Sequence, residues 1–299
     1  MKKIQLLVLA SLLFLNLNVF AQKEITVTPV NKQMSRGMQA GYMVNIPEAK
    51  LKEVNPALKK QLEENTKANA KEINGEMVTY EAVNKNFSLK PFIIYSKLLE
   101  TTDGVELTAF VTEDSLTFLD ENGEADKVAA LKKSLHDFAA AEYKKVVTKQ
   151  LNVENGKLSD LKKTLDGQVK DENDNTKEIS KKQREIESSK SKIEANKVQQ
   201  ASKAEQVGNQ QKMVDGISDK KSPEYNLAGK NLKKYVGEGK DLEKDAEKLA
   251  RSIDDNNAEI KELELKNENV KKQQADTKQK IEAQETAVKN VTDILNGIK

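Results

Sequence analysis

The residue types that could carry out catalysis or bind a metal are few in this chain. His136 is the only histidine, and there is no cysteine. One histidine without cysteine cannot supply the usual zinc ligand sets, so we expect His136 at a surface or an interface. Nucleophilic catalysis needs a serine or threonine beside a base. The two candidate stretches, residues 35–37 and 101–104, are better interpreted as loops.

Acidic residues offer the remaining chemistry. Two facing carboxylates could hydrolyse a glycosidic bond, and seven acids in the first part of the chain are candidates for such a pair. Residues 171–175 carry oxygen ligands but lack the glycine and the closing glutamate of an EF-hand loop. We therefore predict no catalytic, metal or cofactor-binding residues and no enzymatic activity. The seven acids are Glu76, Glu81, Glu100, Asp103, Glu106, Glu113 and Asp114.

The N-terminus has the pattern of an export signal. Lys2 and Lys3 precede an apolar run over residues 4–15, and Val19-Phe20-Ala21 is typical of a cleavage site. We predict a signal peptide over residues 1–21 and an exported protein, periplasmic or extracellular. The run falls short of the ~20 apolar residues of a spanning helix, which disfavours an uncleaved anchor. After cleavage we expect no integral membrane segment.

Charge is balanced once Lys2 and Lys3 are removed, with 48 basic and 48 acidic residues. A nucleic-acid-binding domain normally carries a basic excess on one face, so we expect no nucleic-acid partner. Only Arg36, Arg184 and Arg251 are arginines. Lysine lacks the bidentate fork of arginine, and most of these lysines are interpreted as solvated helix faces.

Residues 22–122 are predicted to form a small head domain, because four of the five prolines and most aromatic residues fall there. β-Branched and aromatic content predicts strands over residues 24–30, 41–46 and 77–83, with a further short strand over 115–119. Asp103-Gly104 predicts a type I′ hairpin between strands 92–101 and 105–112. One helical segment lies among the strands, so we predict an α+β fold with an antiparallel sheet.

The helix of the head is predicted from its prolines. Pro47 suits a first helical position, and Asn55-Pro56 resembles an N-cap followed by a proline that restarts a helix to about Asn65. Its buried side chains would be Leu51, Val54, Leu58 and Leu62.

The segment from Ile46 to Leu51 follows a glycine-containing strand and precedes a sheet and a long Lys/Glu-rich helix. This arrangement resembles secreted bacterial proteins of unassigned function that join a small α+β head to a C-terminal coiled coil. The resemblance covers the head and its junction with the helix, and it implies no activity.

The rest of the chain, residues 123–299, is predicted to form a long antiparallel α-helical coiled-coil hairpin. Apolar residues recur four and then three apart from Leu242 to Ile298, and a second heptad series starts at Leu151. A further apolar face, formed by Val128, Leu131, Leu135 and Phe138, should pack on the head. Pro223 is the only proline after Pro91, so the turn is placed near residues 216–224, with Gly216, Lys221 and Pro223 as its residues.

The register follows from arithmetic, because facing residues of an antiparallel pair have a constant sum. A sum of 442 centres the turn at Lys221 and matches two polar layers, Asn175 with Asn267 and Gln168 with Gln274. An unbonded buried polar group costs about 1–3 kcal/mol, so matched polar layers favour this register. The apolar layers are Val147 with Leu295, Leu161 with Ile281, Ile179 with Leu263 and Ile193 with Leu249, while Ile186 faces Asn256.

The sequence favours a non-enzymatic adaptor. The head would recognise a protein of the cell envelope through its exposed strands or a groove beside its helix, and the hairpin would act as a spacer or docking arm. The alternative is a periplasmic holdase chaperone with helical tentacles, which predicts a homo-oligomer enclosing a cavity. An efflux-type adaptor is disfavoured because no strand is predicted after the second helix. A cell-wall hydrolase is the weakest alternative.

Overall fold

A computed structural model describes residues 23–64, 69–84 and 87–299. The signal peptide predicted for residues 1–21 lies outside these residues. The elements are β1 (Val27–Met34), β2 (Gly37–Pro47), α1 (Leu51–Glu63), β3 (Ala70–Ile73), β4 (Glu76–Asn84), β5 (Ser88–Thr101), β6 (Gly104–Thr112), α2 (Ala125–Gly216) and α3 (Pro223–Gly297).

The strands form one six-stranded antiparallel sheet in the order β1-β2-β6-β5-β4-β3. Strands β3 to β6 follow one another as hairpins, and β6 then pairs with β2. Neither edge strand presents a long row of unpaired backbone N–H and C=O groups. Strand β3 has only four residues, and β1 contains Pro29, which has no N–H group to donate. The predicted antiparallel α+β head is therefore confirmed in its architecture.

One face of the sheet carries the main core. Alternate residues of β2 and β6, including Val44, Ile46 and Leu107, have no exposed surface and pack with α1 and the start of α2. The predicted apolar face of the second helix lies in this core, since Leu131, Leu135 and Phe138 are buried and Val128 is partly buried against them.

The other face carries a smaller cluster of buried side chains. Tyr95 and Phe110 are cross-strand neighbours, and the cluster also contains Met34, from the end of β1. Gly41 is required beneath it, since a Cβ there would lie 2.6 Å from the ring of Phe110. The turn after β1 reaches β4, where the carboxylate of Glu76, only 2% exposed, accepts the Ser35 N–H at 2.8 Å and the Ser35 hydroxyl at 2.6 Å.

The predicted start of the head helix is wrong. Pro47 is the last residue of β2, the N-cap residue is Lys50, and Pro56 lies inside α1 instead of restarting a second helix. Pro56 is the sixth residue of α1, where a proline removes one backbone hydrogen bond and crowds the carbonyl four residues before it. The burial of Val54 and Leu58 on the sheet offsets this cost and keeps the helix continuous. Asn65, the predicted end, lies outside the described residues.

Three further features of the head differ from the prediction. Strand β3 was missed, although Asn74 and Gly75 have the positive φ angles of a type I′ turn between β3 and β4. The β5–β6 hairpin exists, but its loop is Thr102-Asp103, neither of which has a positive φ, so the turn is not type I′. The strand predicted at 115–119 is reduced to one bridge between Thr112 and Phe118.

Helices α2 and α3 make up most of the C-terminal part, with 92 and 75 residues, joined by residues 217–222. Ser222 caps α3, since its hydroxyl accepts the Tyr225 N–H at 3.1 Å, and Pro223 occupies the first helical position. Among the described residues, no helix combines the length and apolar character needed to cross a membrane.

The chain divides into two compact units. The first unit joins the residues up to Leu158 with Ala283–Lys299. The first part of α2 and the last part of α3 therefore belong to the same unit as the sheet. The second unit consists of Ser159–Glu282, which contains the rest of α2 and α3 and the loop between them.

Candidate binding cleft

A cleft of about 360 Å³ lies beside α1 in the first unit. Its apolar lining consists of Val146, Val153 and Val291, the first two from α2 and the third from α3. Charged and amide side chains form the rest of the lining, namely Glu48, Lys50, Glu53, Lys149, Gln150 and Glu154. A volume of this size is at the lower end for a ligand pocket and suits one large side chain or a short peptide segment.

Glu48 is held in an unusual conformation at this cleft. It follows β2 with a φ of +57°, a region that residues with a side chain seldom adopt. Its N–H donates to the Asp103 carbonyl at 2.8 Å, which ties it to the β5–β6 loop. Gly104 permits this approach, because a Cβ there would lie 2.1 Å from the Ile46 carbonyl oxygen and 2.7 Å from the Glu48 nitrogen.

The carboxylates of the cleft all have donors. Glu48 accepts from Gln150 Nε2 at 2.5 Å and pairs with Lys23 at 3.4 Å. Lys149 Nζ lies 2.8 Å from the Glu53 carboxylate, and its hydrogen bond lowers the pKa of Glu53. These bonds connect α1 and the β2–α1 loop to α2, so they fix the polar side of the cleft.

Glu154 closes the cleft on α2 and also contacts α3. Its carboxylate accepts from Lys157 at 2.8 Å and from Gln284 Nε2 at 2.6 Å, and these two bonds, the first being the stronger cause, lower the pKa of Glu154. A second bond from Gln284 goes to the Glu154 carbonyl at 3.0 Å.

Two lining residues of the cleft, Val146 and Val291, also belong to an apolar cluster that joins α2 to the end of α3. Tyr143 and Val147 of α2 pack with Val291 and Ile294 of α3 and with Ile298, which follows α3. Val147 and Val291 are at most 1% exposed. The predicted layer partner Leu295 is partly buried against this same cluster. Burial, followed by the charge of Glu48, raises the pKa of the Tyr143 hydroxyl, so it stays neutral beside the cleft.

The other residues considered for chemistry have structural roles. His136 is 36% exposed, with Nδ1 3.7 Å from Asp137. Ser35 is bonded to Glu76, and Thr101 Oγ1 donates to the Gly104 carbonyl at 3.1 Å within the hairpin loop. Among the residues that the structure describes, no group of three His, Cys, Asp or Glu side chains could hold a metal ion.

Of the seven acids proposed for a carboxylate pair, Glu76 and three others bond to separate partners and the remaining three are exposed. Glu106 pairs with Lys32 at 2.5 Å and Glu113 with Lys127 at 2.8 Å. Asp114 accepts the N–H groups of Thr117 and Leu116, and these two bonds lower its pKa to about 2. Glu81 is exposed with a φ of +54°, and Glu100 and Asp103 are exposed at the end of the β5–β6 hairpin.

In the second unit, α2 and α3 contact each other through residues whose numbers rise on one helix as they fall on the other. Asn175 Nδ2 donates to Asn267 Oδ1 at 2.9 Å, Lys182 pairs with Glu259, and Lys203 lies 2.6 Å from Glu238. Ile186 is 6% exposed. The other predicted apolar layer residues of this unit are half-buried, namely Leu161, Ile179, Ile193, Leu249, Leu263 and Ile281.

One polar pairing differs from the expectation. Gln274, predicted to meet Gln168, instead donates from Nε2 to Glu172 at 2.9 Å. The Gln168 Oε1 atom is buried without a partner within the described structure. A carboxylate is a stronger acceptor than an amide oxygen, which explains the choice. Of the predicted turn residues, Gly216 ends α2, Lys221 lies in the loop, and Pro223 begins α3.

The cleft itself was expected only as a groove beside the helix, with no residues assigned to it. Its lining combines residues 48–53, 146–154 and 291, and no local pattern links positions so far apart in the sequence. The nearest local signal is Gly104, whose proximity to Glu48 arises only from the pairing of β2 with β6.

Comparison of the chain with models of protein families and with curated proteins finds no match.

Proposed function

We propose that this protein is an exported, non-enzymatic binding protein whose head recognises a protein of the cell envelope. The helical part, as an antiparallel coiled-coil hairpin, serves as a spacer or docking arm. The observation that carries the proposal is the cleft beside α1, which combines an apolar lining with a ring of polar groups held by their own hydrogen bonds.

Val153 is the central residue of this proposal. It lines the cleft and is 56% exposed, whereas the neighbouring lining residue Val291 has no exposed surface. An apolar centre bordered by polar groups is the usual anatomy of a protein–protein interface. Since the carboxylates already have donors, we expect a partner to insert an apolar side chain against Val153 and to bond to the outer polar groups.

The test places a photo-crosslinking amino acid at Val153 in the full-length protein in its native cells. We expect one discrete adduct, and a second change, Lys149→Glu, should reduce it at least severalfold because it reverses the charge beside Glu53. Lys145→Glu is the matched control, since Lys145 is equally exposed on the same helix but does not line the cleft.

A probe at Val198, which is 68% exposed on α2 outside the cleft, measures nonspecific capture. Equal adducts from Val153 and Val198, or an adduct insensitive to Lys149→Glu, would contradict recognition through the cleft.

A further inference from the structure

Positive charge is concentrated around the loop that joins α2 to α3. Residues 211–234, called the loop segment below, contain six lysines and three acidic residues, a net charge of +3. The other residues of the second unit contain 21 basic and 23 acidic residues. The lysines of the loop segment are Lys212, Lys220, Lys221, Lys230, Lys233 and Lys234, and all are exposed.

These lysines are largely free of ion pairs. Within the described structure only Lys234 has a carboxylate nearby, with Glu238 at 3.9 Å. Elsewhere on the same helices, lysines such as Lys177 and Lys190 pair with an acid three residues away. The positive field of the loop segment is therefore not neutralised by neighbouring side chains.

Two of the three acids of the loop segment accept hydrogen bonds from within it. Asp215 Oδ1 accepts from Gln211 Nε2 at 2.8 Å, and Asp219 Oδ1 accepts the Lys221 N–H at 2.9 Å. Backbone bonds from the Ile217 N–H to the Val214 carbonyl and from the Ser222 N–H to the Asp219 carbonyl stabilise the loop, and the side chains of residues 218–221 between them are exposed.

Two aliphatic side chains are exposed beside the loop, one on each helix. Met213 of α2 is 59% exposed, and Leu227 of α3 is 61% exposed. The contact between the two helices therefore leaves most of both side chains uncovered, although it buries the neighbouring Ala228, which is 5% exposed. Exposed aliphatic groups among unpaired lysines combine the two features of a peripheral membrane contact.

We propose that the loop segment binds the surface of an anionic phospholipid membrane. All of its positive charges are lysines, which are flexible point charges without the planar fork that recognises a carboxylate in fixed geometry. Such charges suit a fluid layer of headgroups better than a structured acidic protein, and Met213 and Leu227 can enter the layer. The inference rests on the proposed docking role of the helices and names the surface to which they dock.

The test is sedimentation of the full-length protein with vesicles of phosphatidylcholine alone or mixed with phosphatidylglycerol. We expect binding only to the mixed vesicles, weakened by added salt because exposed charges are screened. The double substitution Lys220→Glu and Lys221→Glu should weaken this binding at least about tenfold. Circular dichroism should show unchanged helicity, since both residues lie in the loop outside the helices.

The matched control changes Lys261 and Lys272 to Glu, which alters the total charge equally but at exposed positions of α3 outside the loop segment. The control should bind like the unmodified protein. Met213→Ser with Leu227→Ser should weaken binding while leaving its salt dependence in place.

Three results would overturn the inference: no sedimentation with either vesicle, an equal loss in the control, or binding to soluble polyglutamate in place of vesicles. The last would indicate an acidic protein as the partner. A failure here leaves the crosslink from Val153 unaffected, so it is distinguishable from a failure of recognition by the cleft.

Discussion

Glu76 is a buried carboxylate whose two oxygens both accept hydrogen bonds from Ser35. Ser35 lies in the turn after β1 and Glu76 begins β4, and these two strands are near opposite ends of the sheet order. The pair therefore fixes the β1–β2 turn beside Met34 and the smaller apolar cluster of the head. A buried carboxylate is costly unless it is bonded, which makes this pair a specific determinant of the fold rather than a surface contact.

We expect Ser35→Ala to lower the free energy of unfolding by about 1–3 kcal/mol, because it leaves one oxygen of the buried carboxylate without a donor. Glu76→Gln should also destabilise, and the double variant should lose less than the two single losses together, with a coupling of about 1 kcal/mol or more. Urea unfolding measures all four proteins. Ser134→Ala, at an exposed position of α2, is the control and should be nearly neutral. Additive losses would show that the two residues are not energetically coupled.

Single residues also explain why the turn type predicted from Asp103-Gly104 is wrong. Asp103-Gly104 is typical of a type I′ turn, but Gly104 is the first residue of β6 and pairs with Thr101 across the hairpin. A glycine is required at position 104 because the backbone of residues 46–48, at the end of β2, leaves no room there for a Cβ atom. A local pattern cannot distinguish a glycine needed by its own turn from one needed by a neighbouring strand.

At the scale of elements, the long helices were the most predictable part of the chain. The spacing that runs from Leu242 to Ile298 selects residues of α3, and Ile298 just after it, that are all buried or half-buried. This signal is strong because a continuous heptad repeat extends over many turns. Strand β3 was missed because its sequence, Ala-Lys-Glu-Ile, is short and polar and lies at the sheet edge. Helix α1 was predicted in two parts because proline is usually a helix breaker, whereas tertiary packing of Val54 and Leu58 keeps it continuous.

The Asn175–Asn267 bond predicts a register that can be tested by crosslinking. The chain has no native cysteine, so Asn175→Cys with Asn267→Cys introduces one pair only. We expect efficient oxidation to an intramolecular disulfide, because the two side chains are in direct contact at 2.9 Å. The readout is a mobility shift on a denaturing gel that disappears on reduction.

Two control pairs represent a slip of one heptad in either direction: Gln168→Cys with Asn267→Cys, and Asn175→Cys with Gln274→Cys. Both should oxidise far more slowly, since a disulfide needs Cα atoms within about 7 Å of each other. Faster oxidation of either control would reject the register, and a disulfide between two molecules would reject the pairing of α2 and α3 within one chain.

The cleft is a property of the whole molecule and could not have been predicted from any one segment. Its lining requires the loop between β2 and α1, the first turn of α1, the first third of α2 and the last turns of α3. The sequence indicated the apolar residues of each helix, but it could not indicate that Val153 would be exposed while Val291, more than a hundred residues later, would be covered. Such a site depends on the chain returning to the sheet unit at Ala283.

This return predicts that the last residues of the chain stabilise the head. A chain ending at Glu282 loses Val291, Ile294 and Ile298, which pack on Tyr143 and Val147. Burying an aliphatic side chain is worth about 1.5–3 kcal/mol, so the truncated protein should lose several kcal/mol of stability in the sheet unit. Amide hydrogen exchange of β2 and β6 is the direct measure, and it should become faster by orders of magnitude. The comparison variant deletes two heptads from each helix of the second unit, residues 193–206 and 236–249.

This deletion preserves the heptad repeat and the proposed register. The β2 and β6 amides of the comparison variant should exchange as in the full chain, because the core of the first unit is complete without those residues. Equal protection in the truncated and full-length proteins would show that the sheet is stable without the end of α3, and the cleft would then lack the support that the structure gives it.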